Sequence, residues 1–223
     1  MAERFTERLR QKADGIWEAQ HQHPFVRGIG DGTLSLERFE FWLRQDYVFL
    51  IEYARLLALA AARSPELETM NRFATLLKET VETEMNLHRA YAAEFQINRQ
   101  ELEREPIAPA TRAYTDFLLR VAATGDFAEL VAVLLPCMWG YSEIGLRLAT
   151  QPAPCDKRYA KWIAMYSSPE FAELAQWCRD LFDRVAAGLP ERDLQKLQAA
   201  FLTSSRYEWQ FWEAAWEMER WPV

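Results

Sequence analysis

The chain has 223 residues, half of them hydrophobic, with 26 Lys and Arg against 33 Asp and Glu for a net charge of −7. That length buries a sizeable core without demanding a second domain, so residues 1–223 are expected to form one domain. Acids and bases are interspersed, and with no basic stripe to neutralise phosphates neither nucleic acid nor an anionic membrane is expected as a partner.

No apolar run approaches the roughly 20 residues of a spanning helix, and the opening Met-Ala-Glu-Arg-Phe-Thr-Glu-Arg is too charged for a signal peptide, so a cytoplasmic location is expected. Cys137, Cys155 and Cys178 are odd in number and form no CxxC, which fits reduced thiols rather than a disulfide or zinc framework. Only 8 glycines stand against 9 Trp, 8 Tyr and 13 Phe, and Ala, Leu, Glu and Arg abound, which favours helices.

Taken in order, Thr6 to Gln22 place Leu9, Ala13, Ile16, Trp17 and Gln20 at helical spacing. Gly28, Gly30 and Gly32 then predict a loop, because GxGxG without a flanking strand or a Lys-Ser/Thr pair is a weak phosphate-loop match. Ser35 can cap a second helix, whose stripe runs through Phe39, Trp42, Leu43, Asp46, Phe49, Leu50 and Tyr53 to Arg63. Asp46 in that stripe is either a solvated edge residue or a buried one that needs a partner. A third helix spans about Pro65 to Phe95 with Met70, Phe73, Leu76, Leu77, Val81, Met85 and His88 in register. Glu82, Glu84 and His88 lack the Glu-x-x-His turn of a di-iron bundle, so no metal site is expected, and intrahelical and tertiary hydrogen bonding of His88 is the reading adopted.

Pro106 and Pro109 mark a break before a helix from about Ala110 to Thr124, and Gly125 and Asp126 precede a fifth that contains Cys137 and runs to about Thr150. Pro136 lacks an N–H and crowds the carbonyl of Ala132, which predicts a kink beside Cys137. The thiol is thereby either aimed into a pocket or packed as an ordinary core cysteine. Further helices begin near Lys157 and Pro169, and Gly188 and Pro190 stop the latter. The last, about Glu191 to Glu219, turns Leu194, Leu197, Phe201, Tyr207, Glu208, Phe211, Trp212 and Ala215 inward. With no period-two alternation and no fixed repeat, the fold class is all-α, a bundle of seven to eight helices.

Asp46, Cys137 and Glu208 are polar residues in aromatic stripes on three different helices. Asp46 and Phe49, like Glu208 and Phe211, stand at i and i+3, so each carboxylate shares a face with a ring able to stack on a flat ligand. Tyr114, Tyr141 and Tyr166 are available to complete such a slot. A thiol beside two carboxylates and several phenols suits attack on an electron-poor heteroaromatic ring, with acids protonating a ring nitrogen and a leaving amine.

Five segments in order, Gln45-Asp46, Glu84-Met85-Asn86-Leu87-His88, Leu134-Leu135-Pro136-Cys137-Met138-Trp139, Tyr159-Ala160-Lys161-Trp162-Ile163 with Tyr166, and Ser204 through Trp212, make the chain resemble the TenA/thiaminase II family over nearly its whole length. The resemblance implies a haem-oxygenase-like helical fold without haem, a homotetramer, no cofactor and no metal. It also implies hydrolysis of 4-amino-5-aminomethyl-2-methylpyrimidine to the hydroxymethylpyrimidine in thiamin salvage, with slower cleavage of thiamin. By matching position, Cys137 is similar to the family's nucleophile, Glu208 to its general acid and base, and Asp46 to the carboxylate that binds the aminopyrimidine. Tyr114, Tyr141 and Tyr166 resemble the pocket phenols and Phe211 a stacking ring. Phe49 stands where many members carry a tyrosine thought to sharpen the cysteine, so activation of Cys137 falls to Tyr114 or a water. Three other classes stay open at this point. They are a haem oxygenase ligated through His21 or His23, which sit in a polar run resembling a frayed terminus, a di-iron oxidase, and a carrier that binds the pyrimidine without turning it over.

Overall fold

The computed structural model describes residues 3–223, so the first two residues of the charged N-terminal run lie outside it. Among the described residues the chain is helical with no strand. The helices are α1 (Phe5–Lys12), α2 (Asp14–His21), α3 (Pro24–Asp31), α4 (Leu36–Arg63), α5 (Leu67–Glu79), a π-helical turn (Thr80–Glu84), α6 (Met85–Glu94), α7 (Arg99–Glu103), α8 (Pro109–Thr124), α9 (Phe127–Ala149), α10 (Lys157–Tyr166), α11 (Pro169–Ala186) and α12 (Glu191–Glu217).

Where local chemistry dictates an end, the expected ends hold. Ser35 accepts from the Arg38 backbone to cap α4, Pro109 and Pro169 sit at the first turns of α8 and α11, and Gly188 takes a left-handed φ of 78° after α11. Four expectations need correction. The first rod divides at Ala13, beside the poor helix formers Asp14 and Gly15. The short capped helix α7, with a reciprocal capping box between Asn98 and Glu101, was not foreseen.

The third correction is that the glycine segment forms helix α3 rather than a loop, and only Gly32, at φ 78°, ends it. Gly28 and Gly30 are there for contact: a Cβ on the first would lie 3.0 Å from the Leu34 backbone, and on the second 2.7 Å from Leu148. The fourth concerns register. Phe73, Leu76 and Thr80 are buried, but the π turn adds a residue, so the inner face resumes at Met85 and His88 while Val81 is exposed. Met70, expected inside, is also exposed. In addition, α9 is long and apolar enough by length and composition to cross a membrane, which the sequence reading missed, although most of its apolar stretch is buried within the protein.

The chain divides into two compact units. Residues 3–34 and 128–213 hold α1–α3, α10, α11 and nearly all of α9 and α12. Its core is aromatic: Trp17 meets Trp139 edge-on with ring centres 4.9 Å apart and stacks on Phe201, while Phe25 packs on Trp212. Asp183 on α11 accepts from the Thr6 backbone at 2.8 Å and its hydroxyl at 2.9 Å, fastening α1.

The other unit, residues 35–127 and 214–223, is built on α4, against which α5, α6, α7 and α8 pack. Phe39 stacks on Trp42 and meets Tyr91 edge-on. The buried amide of Gln45 donates to the Pro106 carbonyl at 3.0 Å and accepts from the Ala108 backbone at 2.8 Å, pinning the proline-rich link in front of α8. Glu219 and Trp221, beyond α12, bond Ala110 N–H and the Ile107 carbonyl and hold the same link.

Candidate active site

In the first unit, Cys137 follows Pro136 inside α9 and is half-buried, whereas Cys155 is exposed and Cys178 buried. Pro136 offers no N–H to Ala132, and its ring crowds that turn. The fully buried Ser204 on α12 donates to the neighbouring carbonyl of Val133 at 2.6 Å. Ser205 beside it accepts from Trp17 Nε1 at 3.0 Å, and its carbonyl accepts from Gln20 Nε2 at 3.3 Å. This segment of α12 is thus held from two sides immediately before Glu208.

Contacts between α9 and α12 fix their mutual direction and register. Ser204 meets Val133, and eight residues later on both helices the rings of Trp212 and Tyr141 lie 5.0 Å apart. Lys196 pairs with Glu129 at 2.6 Å, earlier on both, so the helices run parallel. Cys137 and Glu208 occupy the turn midway between those two contacts, about one turn from each, and residues four apart share a helix face. The thiol turn and the buried carboxylate turn therefore stand opposite one another.

Phenols and rings line the next turn. Tyr141 lies 4.8 Å from Tyr166, ring centre to ring centre, and Trp162 lies 4.6 Å from Tyr166. Phe211 meets Trp212 edge-on at 6.4 Å. Tyr141, Tyr166 and Phe211 are all buried. Gly145 makes this wall possible: a Cβ there would lie 2.5 Å from the Tyr166 carbonyl carbon.

In the second unit, Asp46, Phe49 and Tyr114 are likewise buried. The solvated-edge reading of Asp46 is overturned, because its Oδ2 lies 2.6 Å from Nε2 of His88, itself fully enclosed. The hydrogen-bonding reading of His88 holds on both sides, since Nδ1 lies 3.0 Å from the Glu84 carbonyl in the π turn. Burial pushes His88 down, yet the bond and charge of Asp46, aided by Glu84, outweigh it and raise its pKa. Phe49 stacks on Tyr53 and packs 5.2 Å from Tyr114.

His21 and His23 are buried rather than frayed. His21 Nε2 lies 3.1 Å from Glu143, and His23 accepts from Phe25 N–H at Nδ1 while Nε2 meets Glu213 at 2.9 Å. Such committed nitrogens suit poorly an axial iron ligand, which argues against the haem reading. Glu143 also accepts hydrogen bonds from Nε and Nη2 of Arg10. Burial pushes Glu143 up, but His21 and Arg10 together hold it at about 2. Among the described residues no group of three or more His, Cys, Asp or Glu is placed to hold a metal.

The model of the TENA/THI-4/PQQC family matches residues 10–218. This chain belongs to that family. It is 45% identical over 218 residues to a protein of Halalkalibacterium halodurans named aminopyrimidine aminohydrolase, with 97% of each chain covered. A Bacillus subtilis protein of the same name is 37% identical, covering 98% of this chain and 92% of its own. Among solved structures, a TenA homologue from P. horikoshii OT3 superposes with a TM-score of 0.87 at 30% identity, covering 96% of this chain and 99% of the other. A protein from Shewanella denitrificans described as having a heme oxygenase-like fold matches with a TM-score of 0.74 at 16% identity over 96% of this chain and 92% of its own, which speaks to the fold alone.

For a TenA-family chain, the sequence singles out the cysteine, the carboxylates and the rings as candidates, and gives no sign of Ser204, of Gly145 or of the partner of His88. Each of these acts on a residue at least 21 positions away, where no local periodicity reaches.

Proposed function

We propose that the chain is an aminopyrimidine aminohydrolase of thiamin salvage, hydrolysing 4-amino-5-aminomethyl-2-methylpyrimidine to 4-amino-5-hydroxymethyl-2-methylpyrimidine and ammonia, with thiamin a slower substrate. Family membership and relatives of that name spanning nearly the whole chain support it. The observation that supports it is the α9–α12 register, in which the turn carrying Cys137 faces the turn carrying Glu208. A nucleophile and an acid at facing turns are the two groups this hydrolysis requires.

In this reading Asp46 accepts hydrogen bonds from the aminopyrimidine, and Phe49, Tyr114, Tyr141, Tyr166 and Phe211 receive the flat ring. The Cys137 thiolate adds to the ring carbon next to the substituted one. Glu208 protonates the departing amine, which leaves as ammonia. Water then adds at the exocyclic carbon, the ring expels the thiolate, and aromaticity returns, so that water is consumed and ammonia released one for one. The resemblance extends the proposal to a cytoplasmic homotetramer, for which light scattering should return four times the chain mass.

The test compares ammonia release from the aminomethylpyrimidine, its formylated precursor and thiamin. Fastest release from the aminomethyl compound is expected. Binding of the pyrimidine with no product from any of the three would favour a carrier and overturn the proposal.

A further inference from the structure

Both ring nitrogens of His88 face acceptors. Nε2 meets a carboxylate oxygen of Asp46 at 2.6 Å, and Nδ1 meets the main-chain carbonyl of Glu84 at 3.0 Å. A carbonyl oxygen only accepts, so Nδ1 carries a proton. A neutral imidazole then has none left for Nε2, and only the doubly protonated ring donates to both neighbours at once. We infer that His88 is an imidazolium that acts as a positioning residue for substrate binding, fixing Asp46 as an anion in one orientation with Oδ2 engaged and Oδ1 left for the aminopyrimidine.

The surroundings agree. Among the described residues no donor other than His88 bonds Asp46. The Trp42 ring, one turn before Asp46 on α4, lies 5.6 Å from the imidazole, a distance at which an aromatic ring favours a cation. The π turn contributes directly. It supplies the Glu84 carbonyl to Nδ1. Burial lowers the His88 pKa, and the carboxylates that raise it are Asp46 from α4 and Glu84 from the π turn. The net direction is upward despite full burial.

A single histidine thus does two things for Asp46: it compensates the charge, so the carboxylate stays ionised in a buried place, and it removes rotational freedom. Loss of the His88 proton at high pH leaves either the Glu84 or the Asp46 contact without a donor, and the carboxylate loosens. The inference rests on the reading of Asp46 as the pyrimidine-binding carboxylate, and the experiment separates the two.

Nitrogen-15 histidine labelling of the whole enzyme, with the His88 signals assigned by their absence in His88→Gln, reads the protonation state directly. Both ring nitrogens protonated at pH 7 is the expected result. An unprotonated Nε2, the sign of a neutral ring accepting from a protonated Asp46, overturns the proposal. Calorimetric titration with 4-amino-5-hydroxymethyl-2-methylpyrimidine across the pH range of that titration should show affinity falling about tenfold or more as His88 loses its proton, the loss of a charge-assisted bond. His88→Ala should show the weaker affinity at every pH, and His88→Gln, which keeps one donor, should recover part of it and be flat with pH. If Asp46→Asn binds as the wild type does, the underlying reading of Asp46 fails. If Asp46→Asn loses binding while His88→Ala keeps wild-type affinity and pH dependence, the role of His88 alone fails.

Discussion

The α9 backbone at Gly145 rests directly on the backbone of Tyr166, close enough that a Cβ would lie 2.5 Å from its carbonyl carbon and 2.7 Å from its oxygen. The obstacle is backbone rather than a flexible side-chain tip, so one of the two helices must move to admit a methyl group. Gly145→Ala should cost about 1–3 kcal/mol through overpacking. It should also reduce ammonia release, because Tyr166 belongs to the ring wall beside Tyr141 and Trp162. Gly15→Ala is the contrast: nothing lies within 4 Å, and replacing glycine in a helix should be neutral or add up to about 1 kcal/mol. Thermal unfolding of both variants, with activity alongside, separates contact from propensity.

Ser204 presents a second case of support from a distance. Ser204→Ala removes a buried hydroxyl donor from the Val133 carbonyl one turn before Cys137, which should cost about 0.5–1.5 kcal/mol. In a chain of 223 residues that corresponds to a fall in Tm of roughly 2–4 °C per kcal/mol. Turnover should fall more than binding, since the residue disturbed is the thiol turn rather than Asp46.

The sequence made legible whatever is decided within a few residues. Ser35, Pro109, Pro169 and Gly188 mark helix ends by local capping and backbone chemistry, and the stripes on α4 and α12 placed Asp46, Phe49, Glu208 and Phe211 on buried faces. What stayed hidden depends on neighbours far along the chain. Gly28 and Gly30 read as a loop because their reason is Leu34 and Leu148 rather than a turn. Val81 read as core because a π turn adds a residue that no count of three and four anticipates. Asp46 admitted two readings until His88, 42 positions on, was found against it.

The histidines give opposite pH dependences of folding. His23 is pushed down by burial, which its bond to the Glu213 carboxylate only partly offsets, so the unfolded chain, near 6.5, binds that proton more readily. Its contribution is complete above about 6.5 and is lost as pH falls towards the folded value. Protonation would also remove the Nδ1 acceptor that caps α3. Denaturant unfolding between pH 7 and 5 should show stability falling, and less so in His23→Asn, which keeps a capping oxygen and does not titrate.

His88 works the other way. Its folded pKa is raised, so its stabilisation is complete below 6.5 and declines as pH rises through the folded value. His88→Gln should be less stable than the wild type at pH 6, and that deficit should shrink at high pH.

The central claim is that Cys137 and Glu208, carried on facing turns of the parallel α9 and α12, carry out the hydrolysis. The measurement that meets it most directly is ammonia release from 4-amino-5-aminomethyl-2-methylpyrimidine by Cys137→Ala and Glu208→Gln, with pyrimidine affinity measured on the same samples. The account predicts that both variants bind, that Cys137→Ala releases no ammonia above background, and that Glu208→Gln is slower by about 10²–10⁴. Substantial turnover surviving in either variant would contradict it.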